Sequence, residues 1–234
     1  MGKKHLVMIL TALLMIPLFG CGLENILPSK EVPPLDSYST IILVSAGADQ
    51  RSGKYPDLPV MLSYGIGTTL ELRREDATWI YDKSQEVAPV SDKMKELNIT
   101  ASDVFGDPKT AAKLTEAFQA DLVIAWKLTE EPRYTKEESG RITEDRTKVG
   151  RMGAARYYTV HQSALLKAEA KIVTKTGDMI WNGRTVGYKK YETKYLTEAP
   201  PVYQRDETMY SDLRKDFVQQ FVDKVYPVQP ASGS

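Results

Sequence analysis

Cysteine and histidine are almost missing from this sequence: Cys21 is the one cysteine, and His5 and His161 are the two histidines, in 234 residues. A single thiol cannot close an internal disulfide, and a structural zinc site of the Cys-His kind is excluded with it. Nucleophilic chemistry of the Cys-His or Ser-His-Asp type is reduced to what His161 could do as a lone base. Charge of one sign is missing as well, since 31 Lys and Arg balance 31 Asp and Glu. A nucleic-acid binder normally carries a basic excess or stripe, so no nucleic-acid partner is expected. A phosphate-loop fingerprint is also lacking. Gly65-Ile66-Gly67 has no third glycine and does not open a helix directly after a strand, so close helix packing is its expected use. No cofactor and no metal are expected.

What is present begins at the N-terminus. Lys3 and Lys4 precede an apolar run over 6–18, followed by Phe19, Gly20 and Cys21. A membrane-spanning helix needs about 20 apolar residues. This run, interrupted by Pro17 and Gly20, falls short and has the layout of a secretory signal. The Leu18-Phe19-Gly20-Cys21 junction resembles a lipobox. That resemblance implies a signal peptide over 1–20, cleavage before Cys21 and lipidation of that cysteine by fatty acyl chains such as palmitate. Each buried methylene contributes about 0.8 kcal/mol, so one chain holds reversibly and two or more hold stably. By resemblance to lipoproteins of two-membrane bacteria, Gly22 in place of Asp implies an outer-membrane lipid anchor facing the periplasm.

The rest of the chain divides by composition. Residues 21–36, with Pro28, Pro33 and Pro34, are expected to form a lipidated, extended tether, because proline fixes φ and restricts the residue before it. Residues 37–226 are expected to form a single α/β domain, and 227–234 a flexible tail. Within the domain, 39–46 (STIILVSA) is an unbroken β-branched run that predicts a strand buried on both faces. A helix is predicted over 58–74, with Val60, Met61, Tyr64, Thr68 and Leu72 at helical spacing. A short strand follows at 78–81 and a short helix at 90–97. Asp107 as cap and Pro108 at the first position predict a helix ending near Gln119. Strands are predicted at 120–129 and 157–175, the second alternating so that Ala164, Leu166, Ala168, Ala170 and Ile172 share one face. Thr176-Gly177-Asp178 is a tight turn, and 179–191 returns. Asp206 is the expected cap of a closing helix whose stripe is Tyr210, Leu213, Phe217, Phe221 and Val225. The fold class is α/β, a mixed sheet with a long C-terminal antiparallel hairpin, packed by helices including a C-terminal amphipathic one.

The helix leading into Ala120-Asp121-Leu122-Val123-Ile124-Ala125, the turn of Lys175-Thr176-Gly177-Asp178-Met179-Ile180-Trp181 and the terminal helix resemble a superfamily of periplasmic lipoproteins over about residues 38–226. It includes the curli-secretion channel lipoprotein, the lipoprotein activators of penicillin-binding proteins and the N-terminal domain of the Tol-Pal translocation protein. The resemblance implies binding and assembly without a hydrolytic centre. The charged insertion at 130–156 departs from the amphipathic pore hairpins of the curli-type channel. Arg or Lys on the lipid side of a barrel costs about 2–4 kcal/mol near the midplane, so this segment makes a poor membrane strand. It is expected to be a solvated hairpin tip or a disordered loop. The sharper alternative is a partner-docking loop in which Arg141, Arg146 and Arg151 meet acidic groups.

The candidate chemistry is sparse. Asp103 and Asp107 are close in sequence, but Asp107 is better explained as a cap. His161 lies among Tyr157, Tyr158 and Gln162 with no nucleophile nearby, and Glu169 is an isolated carboxylate. Trp126 and Trp181 form either a glycan- or peptide-binding surface or part of the core, with packing favoured for at least one. Tyr188, Tyr191 and Tyr195, near Lys189, Lys190 and Lys194, form either an aromatic-basic partner patch or a strand end with snorkelling lysines. Two functions follow. The first is a non-enzymatic adaptor or assembly factor that is anchored to the membrane and binds an envelope protein or itself. The alternative is a carboxylate-dependent hydrolase or glycan-binding protein of the envelope.

Overall fold

A computed structural model describes residues 31–48, 56–145, 155–196 and 205–227, with backbone only at 131, 133–145, 155–158, 194–196 and 206. The strands are β1 (Thr40–Ala48), β2 (Thr78–Ile80), β3 (Leu122–Asp145), β4 (Ala155–Thr174) and β5 (Met179–Leu196). The helices are α1 (Leu58–Arg73), α2 (Pro89–Glu96), α3 (Ala101–Gly106), α4 (Pro108–Phe118) and α5 (Asp206–Val225). They form one mixed sheet in the order β2-β1-β3-β4-β5. β1 is parallel to both β2 and β3, and the β3–β4 and β4–β5 pairs are antiparallel. This is the α/β architecture expected from the sequence.

The apolar run of β1 is buried on both sides. Ile41 and Leu43 enter the layer beneath α1 and α5, while Ile42 and Val44 enter the layer beneath α2, α3 and α4. β3 divides in the same way, Leu122, Ile124 and Trp126 against Val123 and Ala125. Continuous apolar strands are what a sheet covered on both faces requires. The larger core lies under α5, where Trp126, Phe217 and Phe221 meet with ring centroids 6.0–6.2 Å apart. Aromatic pairs of this kind contribute about 0.5–1.5 kcal/mol beyond the area they bury.

Two local expectations need correction. The predicted face of α1 is its outer one: Met61, Tyr64 and Leu72 are exposed, Leu72 at 73%, and the buried stripe is Leu58, Leu62, Ile66 and Leu70. Two apolar stripes coexist on this helix, and the i, i+4 row of branched residues is the one that meets α5 and the sheet. Asp206 is the first residue of α5 rather than its cap, which is Arg205, and Arg205 makes no side-chain capping bond. Of the two expectations for the charged stretch, its first part follows the hairpin and not the disordered loop. Residues 130–145 continue β3 in antiparallel register with 155–167 of β4, from Glu130 opposite Lys167 to Asp145 opposite Ala155. β4 is long enough to offer backbone partners beyond the core, and ladder hydrogen bonds need no apolar side chains.

α5 also covers one edge of the sheet. The Tyr188 N–H donates to Asp216 Oδ2 at 2.9 Å, Lys189 pairs with Asp216 at 3.1 Å, and Lys224 donates to the Arg184 carbonyl. Satisfying outward backbone groups in this way blunts an edge strand. Gly187 permits the approach, since a Cβ there would lie 2.7 Å from Phe217 Cβ. The glycines of α1 serve the close packing expected of them. A Cβ on Gly65 would sit 3.0 Å from Val218, and one on Gly67 would sit 2.5 Å from the Tyr81 ring.

Candidate functional site

The candidate acids are tied to backbone and neighbouring side chains, Asp107 as the helix cap expected of it. Thr100 and Asp103 form a reciprocal capping box at α3, a short helix the sequence reading passed over. Asp107 caps α4, accepting from the N–H groups of Lys109 at 3.1 Å and Thr110 at 3.2 Å. Hydrogen bonds from Thr100 hold the Asp103 carboxyl below its ordinary range, and Thr110 does the same for Asp107. Both acids are therefore set as charged caps. Glu169 accepts from Arg184 across β4–β5 at 3.1 Å. His161 stands opposite Glu192 in the same ladder, Nδ1 to Oε2 3.7 Å.

The two tryptophans are both core residues, Trp126 against α5 and Trp181 in the same cluster. The tyrosines separate. Tyr188 and Tyr191 are three apart on β5, an odd spacing that sends them to opposite faces. Tyr191 turns under α5, where its hydroxyl donates to Asp212. Burial, then the Asp212 hydrogen bond and charge, push the Tyr191 phenol up to about 12. Tyr188 is 50% exposed on the other face, opposite Leu165 of β4. They therefore do not make a single patch. Arg141 lies in β3, where only backbone is described, and Arg146 and Arg151 lie outside the described residues.

Two groupings emerge. The first is the outer face of the long hairpin beyond the reach of α3. Here Glu130 pairs with Lys167 at 2.8 Å, Glu169 with Arg184, and the exposed Val186 and Tyr188 lie beside Leu165. Paired charges around an exposed aromatic and aliphatic strip can meet another protein without a large desolvation cost at the rim.

The second grouping, which the sequence reading missed, is at the opposite end of the sheet around Asp121. Its Oδ2 accepts from Ser39 N at 2.9 Å, Ser39 Oγ at 3.0 Å and Thr40 N at 3.2 Å, and its Oδ1 faces Lys175 Nζ at 3.3 Å. The Ser39 N–H leads in drawing the carboxyl down to about 2. One aspartate thus joins the starts of β1 and β3 to the end of β4. Only the pairing of those strands, which no local pattern announces, brings Ser39 to it. Next to this end the incoming chain is fixed. Leu35 is buried, Arg74 donates to the Leu35 and Asp36 carbonyls at 2.6 and 2.8 Å, and Tyr226 donates to Asp36 at 2.7 Å. Among the described residues no group of His, Cys, Asp and Glu is placed to hold a metal, and no helix is long and apolar enough to cross a membrane.

No protein-family model and no curated protein matches this sequence. Solved structures do. A PelC dodecamer from Paraburkholderia phytofirmans is 12% identical at a TM-score of 0.43, the match covering 86% of this chain and 97% of that one. A neuraminyllactose-binding hemagglutinin homolog from Helicobacter pylori is 11% identical at 0.40, covering 84% and 87%. The LpoB C-terminal domain from Salmonella enterica is 11% identical at 0.28, covering 70% and 90%. These are distant likenesses. One of the groups in the sequence resemblance, the activator lipoproteins, is represented by LpoB at that distance only.

Proposed function

We propose that this chain is a membrane-anchored periplasmic lipoprotein that acts as a non-enzymatic adaptor or assembly factor for an envelope complex. The export signal and the Cys21 junction support the anchor. The observation that carries the adaptor reading is the use made of the candidate acids: Asp103 and Asp107 serve as caps, and Glu169 is paired with Arg184. A carboxylate held as a charged cap is a poor general acid at neutral pH. The long β3–β4–β5 hairpin, meanwhile, offers a broad face with Tyr188 and Val186 exposed.

Two experiments test the two halves of the reading. Radiolabelled palmitate should enter the protein, and Cys21→Ser should abolish that labelling; a wild-type chain that takes up no label sinks the anchor. For the adaptor, His161→Ala and Glu169→Ala should leave cellular function intact. A variant that is folded by circular dichroism yet functionally dead would favour chemistry over assembly.

A further inference from the structure

The Asp121 end of the sheet carries a groove that the adaptor reading does not use. It lies between α4 and the β4–β5 turn, with a volume of about 500 Å³, and is lined by Lys109, Lys113 and Lys175 together with Ala112, Glu116 and Gln119. Lys109 and Lys113 are one helical turn apart on α4, where like charges repel unless an anion lies between them. Lys175 faces them from the sheet. Three acids accompany the three lysines: Glu116 in the lining, Asp107, whose charge interacts with that of Lys109, and Asp121, which shares Lys175 at 3.3 Å. The β4–β5 turn packs against the first turns of α4, a Cβ on Gly177 lying 3.7 Å from both Ala112 Cβ and the Pro108 carbonyl.

The groove sits at the end of the body where the anchored chain arrives. Ser39 and Thr40 bind Asp121, Asp121 binds Lys175, and Leu35 and Asp36, four and three residues before Ser39, are clamped by Arg74. Ten residues separate Cys21 from Val32, a reach of at most about 40 Å. A body tethered so closely presents this end to the lipid more readily than the tip of its long hairpin.

We infer that the Lys109–Lys113–Lys175 groove binds the phosphate headgroup of an anionic phospholipid in the membrane that anchors the chain, and so orients the body on that membrane. The inference rests on the anchored reading proposed above. Lysine supplies compact point charges suited to a phosphate oxygen, and Gln119 adds a polar side chain at the rim. With its headgroup in the groove, the body stands with its base on the lipid and its hairpin pointing into the periplasm.

The test uses the full chain in a neutral maltoside detergent, with its lysines carrying ¹³C-methyl groups. It is titrated with dihexanoyl phosphatidylglycerol, with dihexanoyl phosphatidylcholine and with inorganic phosphate. Saturable shifts at Lys109, Lys113 and Lys175 with phosphatidylglycerol alone are expected. The double variant Lys109→Gln/Lys113→Gln, which spares the Lys175–Asp121 pair, should raise half-saturation roughly fivefold per lysine removed. Equal response to phosphatidylcholine, saturation by inorganic phosphate at the same concentrations, stationary lysine signals, or unchanged binding by the double variant would each overturn the proposal. The titration does not require acylation of Cys21, and palmitate labelling reads nothing else, so the two ideas fail separately.

Discussion

The two halves of the long strands obey different rules. Near Asp121, β3 and β4 lie between two layers of helices, and Leu122 to Trp126 are wholly buried on both faces. Farther along β4 and β5 one face stays against α5 and the other is wet, as at Val186 and Tyr188. Burial on both faces demands an unbroken apolar run, whereas burial on one face demands alternation. The first half therefore resists substitution nearly everywhere, and the second resists it at every other residue.

The largest expected break is at the shared aromatic core. Phe217→Ala removes a ring packed on Trp126 and Phe221 and should cost about 3–5 kcal/mol in urea unfolding. Next is Gly187→Ala, which forces a methyl against Phe217 and should cost about 1–3 kcal/mol by overpacking. If it is neutral, α5 lies farther from β5 than described.

Acid and alkali should strain opposite ends of the sheet. The Asp121 carboxyl is held down to about 2 from an ordinary 3.8, so its contribution is present above about pH 4 and is lost as pH falls toward 2. Discounted for the solvent around it, that contribution is about 1 kcal/mol, and Asp121→Asn should flatten this limb of the stability profile. Tyr191 behaves oppositely. Its folded value near 12 lies above the ordinary 10, so its contribution is complete below pH 10 and is lost as pH rises through 12. Tyr191→Phe should remove that alkaline loss, as read by thermal melts between pH 9 and 12. The smallest effect is expected for Tyr188→Ala, within about 0.5 kcal/mol, because its side chain is half exposed and outside the core. A larger loss would mean that the outer face is covered.

Much of the fold was legible because neighbours in sequence decide it. The β-branched run of β1, the Asp107-Pro108 start of α4, the Gly177 turn and the alternation in β4 each carry their own physical signal. The candidate site was less legible. Asp103 had no assigned role until Thr100 closed a capping box with it, and Tyr188 and Tyr191 stood open between a partner patch and a strand end until the odd spacing on β5 sent them to opposite faces.

Local sequence thus determined which segments become strands and helices and where most of them end. Only the tertiary structure decided which of two apolar stripes on α1 turns inward, that a charged stretch after residue 129 continues as a strand, and that Ser39, Asp121 and Lys175 meet. The reason is the same in each case. Backbone periodicity is a property of residues a few positions apart, while the choice of face, the length of a ladder and the partner of a carboxylate depend on what the rest of the chain brings alongside.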